Sequence, residues 1–367
     1  MHLLIVQTRP PEESETFIRA HFEHLPAQTH AAYGWPLHVD GRSVLSMSLP
    51  IRVGRAVRKL ATGQMLESDT YALLQAFRDT RADAVMAEYG KMGVCAMDAC
   101  ERAKVPLIVH FHGADASVRQ VLAQFADAYR RMFQVAAAIV AVSHSMRQRL
   151  ISLGAPAEKV HYNAYGVECD RFAGGDPSQA SERFIAVGRF VEKKAPHLTL
   201  HAFSKVLTTH PQAQLRMIGD GPLWRVCRDL AGMLEIEHTV TFLGQQPHDV
   251  VAQEMRSARA FVQHSIEASD GDCEGTPVAV LEAGASGLPV IATRHAGICD
   301  VVEEHRTGLL VDERDVDGMA EHMRTLLEQP ALAAELGRAG RERIAAEFSM
   351  DKSIARLWNV IRTSAAQ

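Results

Sequence analysis

The sequence has 367 residues, of which 47% are hydrophobic and 23% are charged, the composition of an ordinary folded globular protein. At roughly 150 residues per domain, this length predicts about two domains. The 39 basic and 44 acidic residues give a formal net charge of -5, which argues against a nucleic-acid-binding protein that depends mainly on phosphate contacts.

The amino terminus and the cysteines predict a cytoplasmic protein. The apolar run at residues 3–6 is too short for a signal peptide and follows no basic segment, so we predict a buried strand there. The uncharged stretch at residues 132–146 is shorter than the roughly 20 apolar residues that a bilayer span requires. The six cysteines form no Cys-x2-Cys pair, which indicates reduced thiols rather than a zinc knuckle or a redox dithiol.

Short apolar runs alternate with amphipathic stretches of helical length, which is typical of βαβ units and parallel sheets. In the first half we predict strands at residues 3–7, 84–88, 107–112 and 137–143, and helices at 16–24, 71–78 and 145–152. The turn-rich segment at 174–178 predicts a linker. After it, we predict strands at 184–187, 215–218, 240–243, 260–262, 289–292 and 308–311.

A basic amphipathic segment lies in the first half of the chain. Arg52, Arg55, Arg58 and Lys59 are interspersed with apolar residues. Such a segment can lie on an anionic bilayer surface, and it can equally be the solvated face of an ordinary helix. Both interpretations stay open at the level of sequence.

The most informative stretch runs from residue 270 to residue 291. The turn Gly275-Thr276-Pro277 precedes a predicted helix, whose free N–H groups and positive dipole end can hold a phosphate. Glu274 and Glu282 would lie about 12 Å apart if both occupied one helix. That separation predicts one carboxylate for each sugar of a nucleotide sugar.

Two cations follow the predicted strand at residues 184–187. Arg189 and Lys194 bracket the end of this strand, where α/β sheets bind ligands. The arginine fork and the lysine point charge together suit a diphosphate. The alternative is a surface ion pair with Glu192, which would contribute little.

One histidine follows a strand in the first half. His112 ends the predicted strand at 107–112, and Gly113 after it lets the backbone approach a ligand. His112 is therefore a candidate for chemistry, although the chain has 18 histidines. We expect His110 to be a core or supporting residue.

These motifs together resemble the family of retaining, metal-independent glycosyltransferases with the GT-B fold, glycosyltransferase family 4. The resemblance covers nearly the whole chain, and most specifically residues 183–312. It is carried by Gly188-Arg189 with Lys194, the run at 218–223, Phe242-Leu243-Gly244, the pair Glu274 and Glu282, and the run at 289–293. The segments at 14–18 and 272–277 are similar to the branch that builds bacterial exopolysaccharides such as colanic-acid-type polymers.

The resemblance implies two Rossmann-like parallel-sheet α/β domains that face each other across a cleft. Residues 1–175 would form the acceptor-side domain, and residues 176–348 the nucleotide-sugar donor domain. Residues 349–367 would form a helix that crosses back to the first domain.

The resemblance also implies a reaction. A hexose would pass from a UDP- or GDP-sugar to a glycan or lipid-linked saccharide acceptor, with no metal and no cofactor besides the donor substrate. We expect a cytoplasmic enzyme without a nucleic-acid partner. Its peripheral association with the inner membrane face, through residues 52–59, is a further hypothesis.

The residue roles that the resemblance implies fall into three groups. The residues assigned to the reaction are His112, Glu274, Arg189 and Lys194. Those assigned to donor binding are Arg189 and Lys194 for the diphosphate, Glu282 for the ribose, Gly244 and Gln245 for the base, and Glu274, Gly275, Thr276, Pro277 and Val278 for the sugar and phosphate. Those assigned to the acceptor side are Ser14 and Asp115.

The chain departs from the family pattern at three places. Residues 9–14 stand where many members have a paired-glycine loop, and Ala195 replaces the usual glycine after the lysine. The run Gly297-Ile298-Cys299-Asp300 stands where relatives often have Gly-Ile-Pro-Glu. None of these changes removes a residue assigned to the reaction.

Three alternatives stay open. Asp270-Gly271-Asp272 matches the Asp-x-Asp motif of metal-dependent glycosyltransferases, in which Mg²⁺ would bridge the diphosphate. A nucleotide-sugar 2-epimerase shares the expected two-domain fold. A non-catalytic nucleotide-sugar-binding subunit would bind the donor without transferring its sugar.

Overall fold

The computed structural model describes residues 1–10, 15–34, 36–44 and 66–366, and the chain divides into two compact units. The first unit comprises Met1–Asn163 and Ile354–Gln367, and the second comprises Ala164–Ser353. None of the helices in the described ranges is long and apolar enough to cross a membrane.

The chain enters the second unit at residue 164, earlier than the predicted boundary near residue 175. The short helix Cys169–Phe172 explains this difference, because it packs on the helices Val278–Ser286 and His248–Arg256 of the second unit. The second unit also extends past the predicted boundary at residue 348. There Ser353 Oγ donates a hydrogen bond to the carbonyl oxygen of Ala164.

The first unit contains a sheet of mainly parallel strands. They are β1 (His2–Gln7), β2 (Gln28–Tyr33), β3 (His38–Val39), β4 (Arg42–Ser43), β5 (Ala84–Glu88), β6 (Leu107–Phe111), β7 (Ala138–Ala141) and β8 (Val160–Tyr162). In the described part of the chain they lie in the order β4-β3-β2-β1-β5-β6-β7-β8. Only the pairings of β3 with β2 and with β4 are antiparallel among those described.

The strands that the sequence predicts in this unit are the apolar ones, β1, β5, β6 and β7. The structure adds β2, β3, β4 and β8, which are short or polar. In β2, for example, only Ala32 is buried, so no apolar run marks the strand. β6 ends at Phe111, which places His112 just beyond the strand rather than in it.

Helices connect the strands in both units. In the first unit they are α1 (Thr16–His24), α2 (Leu66–Thr80), α3 (Gly90–Ala103), α4 (Ala114–Ser117), α5 (Arg119–Val135) and α6 (His144–Ser152). In the second unit they are α7 (Cys169–Phe172), α8 (Pro196–Val206), α9 (Trp224–Met233), α10 (His248–Arg256), α11 (Val278–Ser286), α12 (Ile298–Val301), α13 (Val316–Glu328) and α14 (Pro330–Glu347). The last helix, α15 (Met350–Ala365), begins in the second unit and ends in the first.

The second unit contains a parallel, doubly wound sheet. Its strands are β9 (Arg183–Val187), β10 (Gln214–Ile218), β11 (Val240–Gly244), β12 (Ala260–Gln263), β13 (Val290–Thr293) and β14 (Gly308–Val311). As described, they lie in the order β11-β10-β9-β12-β13-β14, so the direction of winding reverses between β9 and β12. Sheets of this kind bind ligands at the carboxyl ends of the strands at this switch point.

The core of the second unit holds this edge in place. Phe184 of β9 and Met217 of β10 are buried in one cluster with Phe203 of α8 and Met323 of α13. Beyond the strands, the loops after β9 and β10 approach closely at Gly219. Its φ is 130°, and a Cβ atom there would lie 1.9 Å from the carbonyl oxygen of Gly188, so this approach requires glycine.

Candidate active site

Two segments of the second unit bring opposite charges together at the switch point. Lys194 ends a short turn after β9, and Glu274 lies between β12 and α11. Lys194 Nζ is 3.1 Å from Glu274 Oε1, and it also donates to Gln263 Oε1, at the end of β12, over 3.3 Å. The Lys194 side chain is 15% exposed and that of Glu274 6%, so the ion pair is largely shielded from water.

The neighbouring charges keep Glu274 ionised. Burial raises the pKa of the Glu274 carboxyl, but the positive charges of Lys194 and Lys193 outweigh burial, and the pKa lies below its ordinary value. Burial lowers the pKa of Lys194 even though Glu274 opposes this, and the charge of Arg189 acts in the same direction as burial. Lys194 therefore lies near the positive charges of Lys193 and Arg189, and the Glu274 carboxylate is its counter-ion.

Glu274 and Glu282 lie in different kinds of structure. α11 begins at Val278, so Glu282 is helical and Glu274 belongs to the preceding segment. The two glutamates therefore do not share one helix, and the separation of about 12 Å that assumes a shared helix does not apply. The reason is Pro277, because a proline disfavours the helical conformation of the residue before it.

The carboxylate and the backbone of Glu274 are both held in place. Ser265 Oγ donates to Glu274 Oε1 over 3.3 Å, and Gln263 Nε2 donates to Ser265 Oγ over 2.9 Å. The backbone N–H of Glu274 donates to Nε2 of His295 over 3.2 Å. The sequence does not reveal this contact, because Glu274 follows β12 and His295 follows β13. The two residues come together only when these strands pair in the sheet.

The segment that leads into α11 has the features of an anion site. Thr276 Oγ1 accepts the N–H of Tyr165 over 3.3 Å, which anchors the predicted phosphate segment that includes Gly275. The carbonyl oxygen of Pro277 accepts the N–H groups of Val280 and Leu281 in the first turn of the helix. The amides that precede these lie at the positive end of the helix dipole.

Lys193, which the sequence analysis did not single out, neutralises the Asp-x-Asp motif. Its Nζ donates to Asp272 Oδ1 over 3.0 Å and to the carbonyl oxygen of Cys273 over 3.1 Å. The other carboxylate of the motif, that of Asp270, accepts the N–H of Asp272. Asp272 therefore already has a buried cation as its partner.

Glu282 lies near the loop that the resemblance assigns to the nucleotide base. Glu282 Oε1 is 3.6 Å from Nδ1 of His248, the first residue of α10. The predicted base loop, with Gly244 and Gln245, directly precedes this helix. The N–H of Gly219 donates to the carbonyl oxygen of Gly244 over 2.8 Å, which fixes the start of that loop. The second unit thus brings its predicted donor-binding residues to one edge of its sheet.

The candidate histidine of the first unit is buried and held by a carboxylate. His112 Nε2 is 2.7 Å from Oε2 of Glu88, the last residue of β5. The His112 ring also contacts the rings of Phe17 and Tyr89, with centroids 4.7 and 4.5 Å away. These contacts fix the orientation of the imidazole.

Glu88 is fully buried among three histidines. Its Oε1 is 2.7 Å from His21 Nδ1, and its Oε2 is 3.5 Å from His110 Nδ1. Burial raises the pKa of Glu88, but the charge of His21 and hydrogen bonds from His110, His112 and His21 outweigh it, so the pKa lies well below its ordinary value. Burial lowers the pKa of His110 to about 3, which agrees with its expected supporting role.

The group of His21, Glu88 and His110 is close enough to be considered as a metal site. Its candidate ligand atoms lie within 4.8 Å of one another, the one such group among the described residues. Ligand atoms around a tetrahedral zinc ion are roughly 3.3 Å apart. The 2.7 Å between His21 Nδ1 and Glu88 Oε1 is instead the length of a hydrogen bond.

The carboxylate of Asp115 binds backbone amides. Its Oδ1 accepts the N–H groups of His112 and Gly113, each over 3.0 Å, and its Oδ2 accepts that of Gly90 over 2.8 Å. Asp115 is 5% exposed. These contacts show a structural part for Asp115 in shaping the loop that carries His112, and they do not support its expected acceptor-side role.

Two of the predictions concern residues that the structure does not describe. Ser14, expected on the acceptor side, lies outside the described residues, as does the basic cluster from Arg52 to Lys59. The described site residues form two groups, one around Lys194 in the second unit and one around His112 in the first.

Comparison with known proteins identifies the family. Residues 173–343 match the model for glycosyl transferases group 1, and residues 13–166 match a glycosyl transferase 4-like domain. The putative colanic acid biosynthesis glycosyltransferase WcaL of Salmonella typhimurium is 32% identical over 294 residues, which are 77% of this chain and 71% of WcaL. This chain is a group 1 glycosyltransferase.

Two further comparisons concern a second relative and the fold. A GDP-mannose-dependent alpha-(1-6)-phosphatidylinositol monomannoside mannosyltransferase of Mycobacterium tuberculosis is 31% identical over 60% of each chain. The crystal structure of Anabaena Alr3699/HepE in complex with UDP-glucose superposes with a TM-score of 0.76 at 16% identity, covering all of both chains. The predicted fold class, GT-B with two parallel-sheet α/β domains, is confirmed.

Proposed function

We propose that this glycosyltransferase moves a hexose from a UDP- or GDP-sugar to a glycan or lipid-linked saccharide acceptor in cell-surface polysaccharide synthesis. The Lys194–Glu274 pair at the switch point carries the proposal, and the charge of Arg189 acts on Lys194. The similarity to WcaL supports the polysaccharide product. The names of the other two relatives support UDP-glucose and GDP-mannose as the donors to test first.

When the donor binds, its diphosphate would replace Glu274 as the ion-pair partner of Lys194. Lys194 and Arg189 would neutralise the phosphate charge that develops as the sugar departs, and the amides at the start of α11 would add a preorganised positive dipole. The Glu274 carboxylate, released from Lys194, would accept hydrogen bonds from hydroxyl groups of the donor sugar. Glu282 would bind the ribose, and the loop with Gly244 would contact the base.

The proposed reaction retains the configuration at the anomeric carbon. The acceptor hydroxyl would attack the same face that the diphosphate leaves, and the departing phosphate oxygen would take the hydroxyl proton. This route needs no dedicated general base. In the first unit, we assign His112 to the donor sugar.

We further propose that the reaction needs no metal ion. The ion pair between Lys193 and Asp272 supports this, because binding of Mg²⁺ by Asp272 would leave the buried ammonium of Lys193 without its carboxylate partner. Lys194 and Arg189 already supply the two positive charges that a divalent cation would bring to the diphosphate.

A transfer assay tests these proposals together. The protein is incubated with UDP-glucose or GDP-mannose and with lipid-linked saccharide acceptors, with and without EDTA, and the product is analysed by NMR for its anomeric configuration. We expect an α-linked product at an undiminished rate in EDTA. A β-linked product would contradict retention, strict dependence on Mg²⁺ or Mn²⁺ would contradict metal independence, and an epimer formed from donor alone would contradict transfer.

A further inference from the structure

A buried histidine connects β13 to the segment that carries Glu274. His295 follows β13 and is 3% exposed. Its Nε2 accepts the backbone N–H of Glu274 over 3.2 Å, and its Nδ1 is 2.5 Å from Oε1 of Glu313, which follows β14. The chain therefore links Glu313, His295 and Glu274 across two strand ends.

These contacts fit one tautomer of the imidazole. In that tautomer Nε2 carries the lone pair that accepts the N–H of Glu274, and the proton resides on Nδ1. Nδ1–H then donates to Glu313. A residue that can neither accept nor donate would leave the buried N–H of Glu274 without its bond, which is costly, and would also remove the contact with the partly exposed carboxylate of Glu313.

Glu313 also binds the other end of the same segment. Its Oε2 accepts the N–H of Glu267 over 3.0 Å. Burial raises the pKa of Glu313, but hydrogen bonds from His295 and Glu267 outweigh it, and the pKa lies below its ordinary value. An ionised Glu313 thus fixes the segment from Glu267 to Glu274 at both ends, directly at Glu267 and through His295 at Glu274.

We propose that His295, supported by Glu313, is a positioning residue that holds Glu274 in place for donor binding. This inference rests on the proposed role of Glu274. Without the relay, the segment would have to be ordered by the donor itself, so the donor would bind more weakly. A saturating concentration of donor would restore the order of this segment. Loss of the relay should therefore raise KM rather than lower kcat.

Three variants of the relay test this inference. His295→Phe keeps the ring volume and removes both hydrogen bonds, whereas His295→Gln keeps one acceptor and one donor. We expect the donor KM to rise about tenfold in His295→Phe, with a smaller change in kcat, and to return towards the native value in His295→Gln. Glu313→Ala, at a partly exposed position, should raise KM in the same direction and provides the test if His295→Phe does not fold.

A buried threonine gives the matched control. Thr307 Oγ1 accepts the N–H of Glu303 over 2.8 Å, at the opposite end of β14 from Glu313, so Thr307→Val keeps the side-chain volume and removes a buried bond away from the relay. Hydrogen exchange at residues 266–276 should accelerate in His295→Phe and not in Thr307→Val. An unchanged KM and exchange rate in His295→Phe, or equal changes in both variants, would overturn the inference.

The design separates failure of the relay from failure of the proposed function. Donor affinity of the native enzyme is measured first, with UDP-glucose and GDP-mannose. If the native enzyme binds neither, the donor assignment fails, while exchange at residues 266–276 still decides whether His295 orders the segment. If the native enzyme binds one of them and His295→Phe binds it equally well, the relay alone is refuted.

Discussion

At the scale of single residues, the clearest stability prediction concerns Glu88. Glu88→Gln keeps the size of the side chain and removes the charge that His21 and His112 contact. We expect the free energy of unfolding at neutral pH to fall by roughly 2 to 4 kcal/mol. The measurement is urea denaturation of the native protein and of the variant.

The pH dependence of this effect has a definite sign. The folded state lowers the pKa of Glu88, so its stabilising contribution is present above the pKa of the unfolded chain and is lost as the pH falls through the folded value. The difference between native and variant stability should therefore shrink in acid. A difference that grows as the pH falls would contradict this account of the Glu88 charge.

The sequence identifies some of the candidate site residues and misses others. Lys194 and Glu274 lie in contiguous motifs with glycine and proline, so the sequence identifies both as candidates. Glu88 and His21 come from β5 and α1, and their contact exists only once these elements pack together. Asp115 shows a similar limit, because its position after Gly113 does not reveal that its oxygens accept bonds from backbone amides.

At the scale of elements, the segment between β12 and α11 depends on Lys193. Lys193→Ala would free Asp272 and remove the bond to the Cys273 carbonyl group. We expect a loss of roughly 1 to 3 kcal/mol in the free energy of unfolding, together with a higher donor KM. Thermal denaturation and donor titration measure the two effects.

The chain offers a matched control for this prediction. Lys205 pairs with Asp317 at the surface, with Nζ and Oδ1 2.8 Å apart. Exposed pairs contribute less than about 1 kcal/mol, so Lys205→Ala should change stability little. Equal losses in both lysine variants would show that the buried Lys193 contributes no more to stability than an exposed lysine does.

The sequence predicts the apolar strands of both sheets, but not the short or polar ones. The apolar strands at the centre of both sheets are marked by their composition, because buried parallel strands are apolar on both faces. The polar β2 and the two-residue strands β3 and β4 are stabilised by pairing with neighbours, which leaves no apolar run. The turn Gly275-Thr276-Pro277 correctly predicts that a helix follows it, and α11 begins at Val278; a helical distance between Glu274 and Glu282 does not apply, because Glu274 precedes this turn.

At the scale of the whole molecule, a lipid-linked acceptor predicts contact with the cytoplasmic face of the membrane. The basic cluster Arg52 to Lys59 would supply the electrostatic attraction. We expect the native protein to float with liposomes that contain anionic lipid, and a variant with all four cations replaced by Gln to float much less. Equal flotation of both proteins would refute this role for the cluster.

The domain organisation illustrates what composition can and cannot supply. Two domains follow from chain length and from the repeated strand–helix alternation. The exact boundaries do not, because the turn-rich residues 174–178 look like a linker although α7 before them already packs on α10 and α11. Packing, rather than local flexibility of the sequence, decides where the second unit begins.

The central claim is that Lys194 binds the diphosphate of a nucleotide sugar. Calorimetric titration with UDP-glucose and GDP-mannose, of the native protein and of Lys194→Met, tests it most directly. We predict that the native protein binds one donor and that Lys194→Met binds it at least about tenfold more weakly, because a buried charge-assisted contact is lost. Equal affinity of the two proteins for that donor would contradict the account.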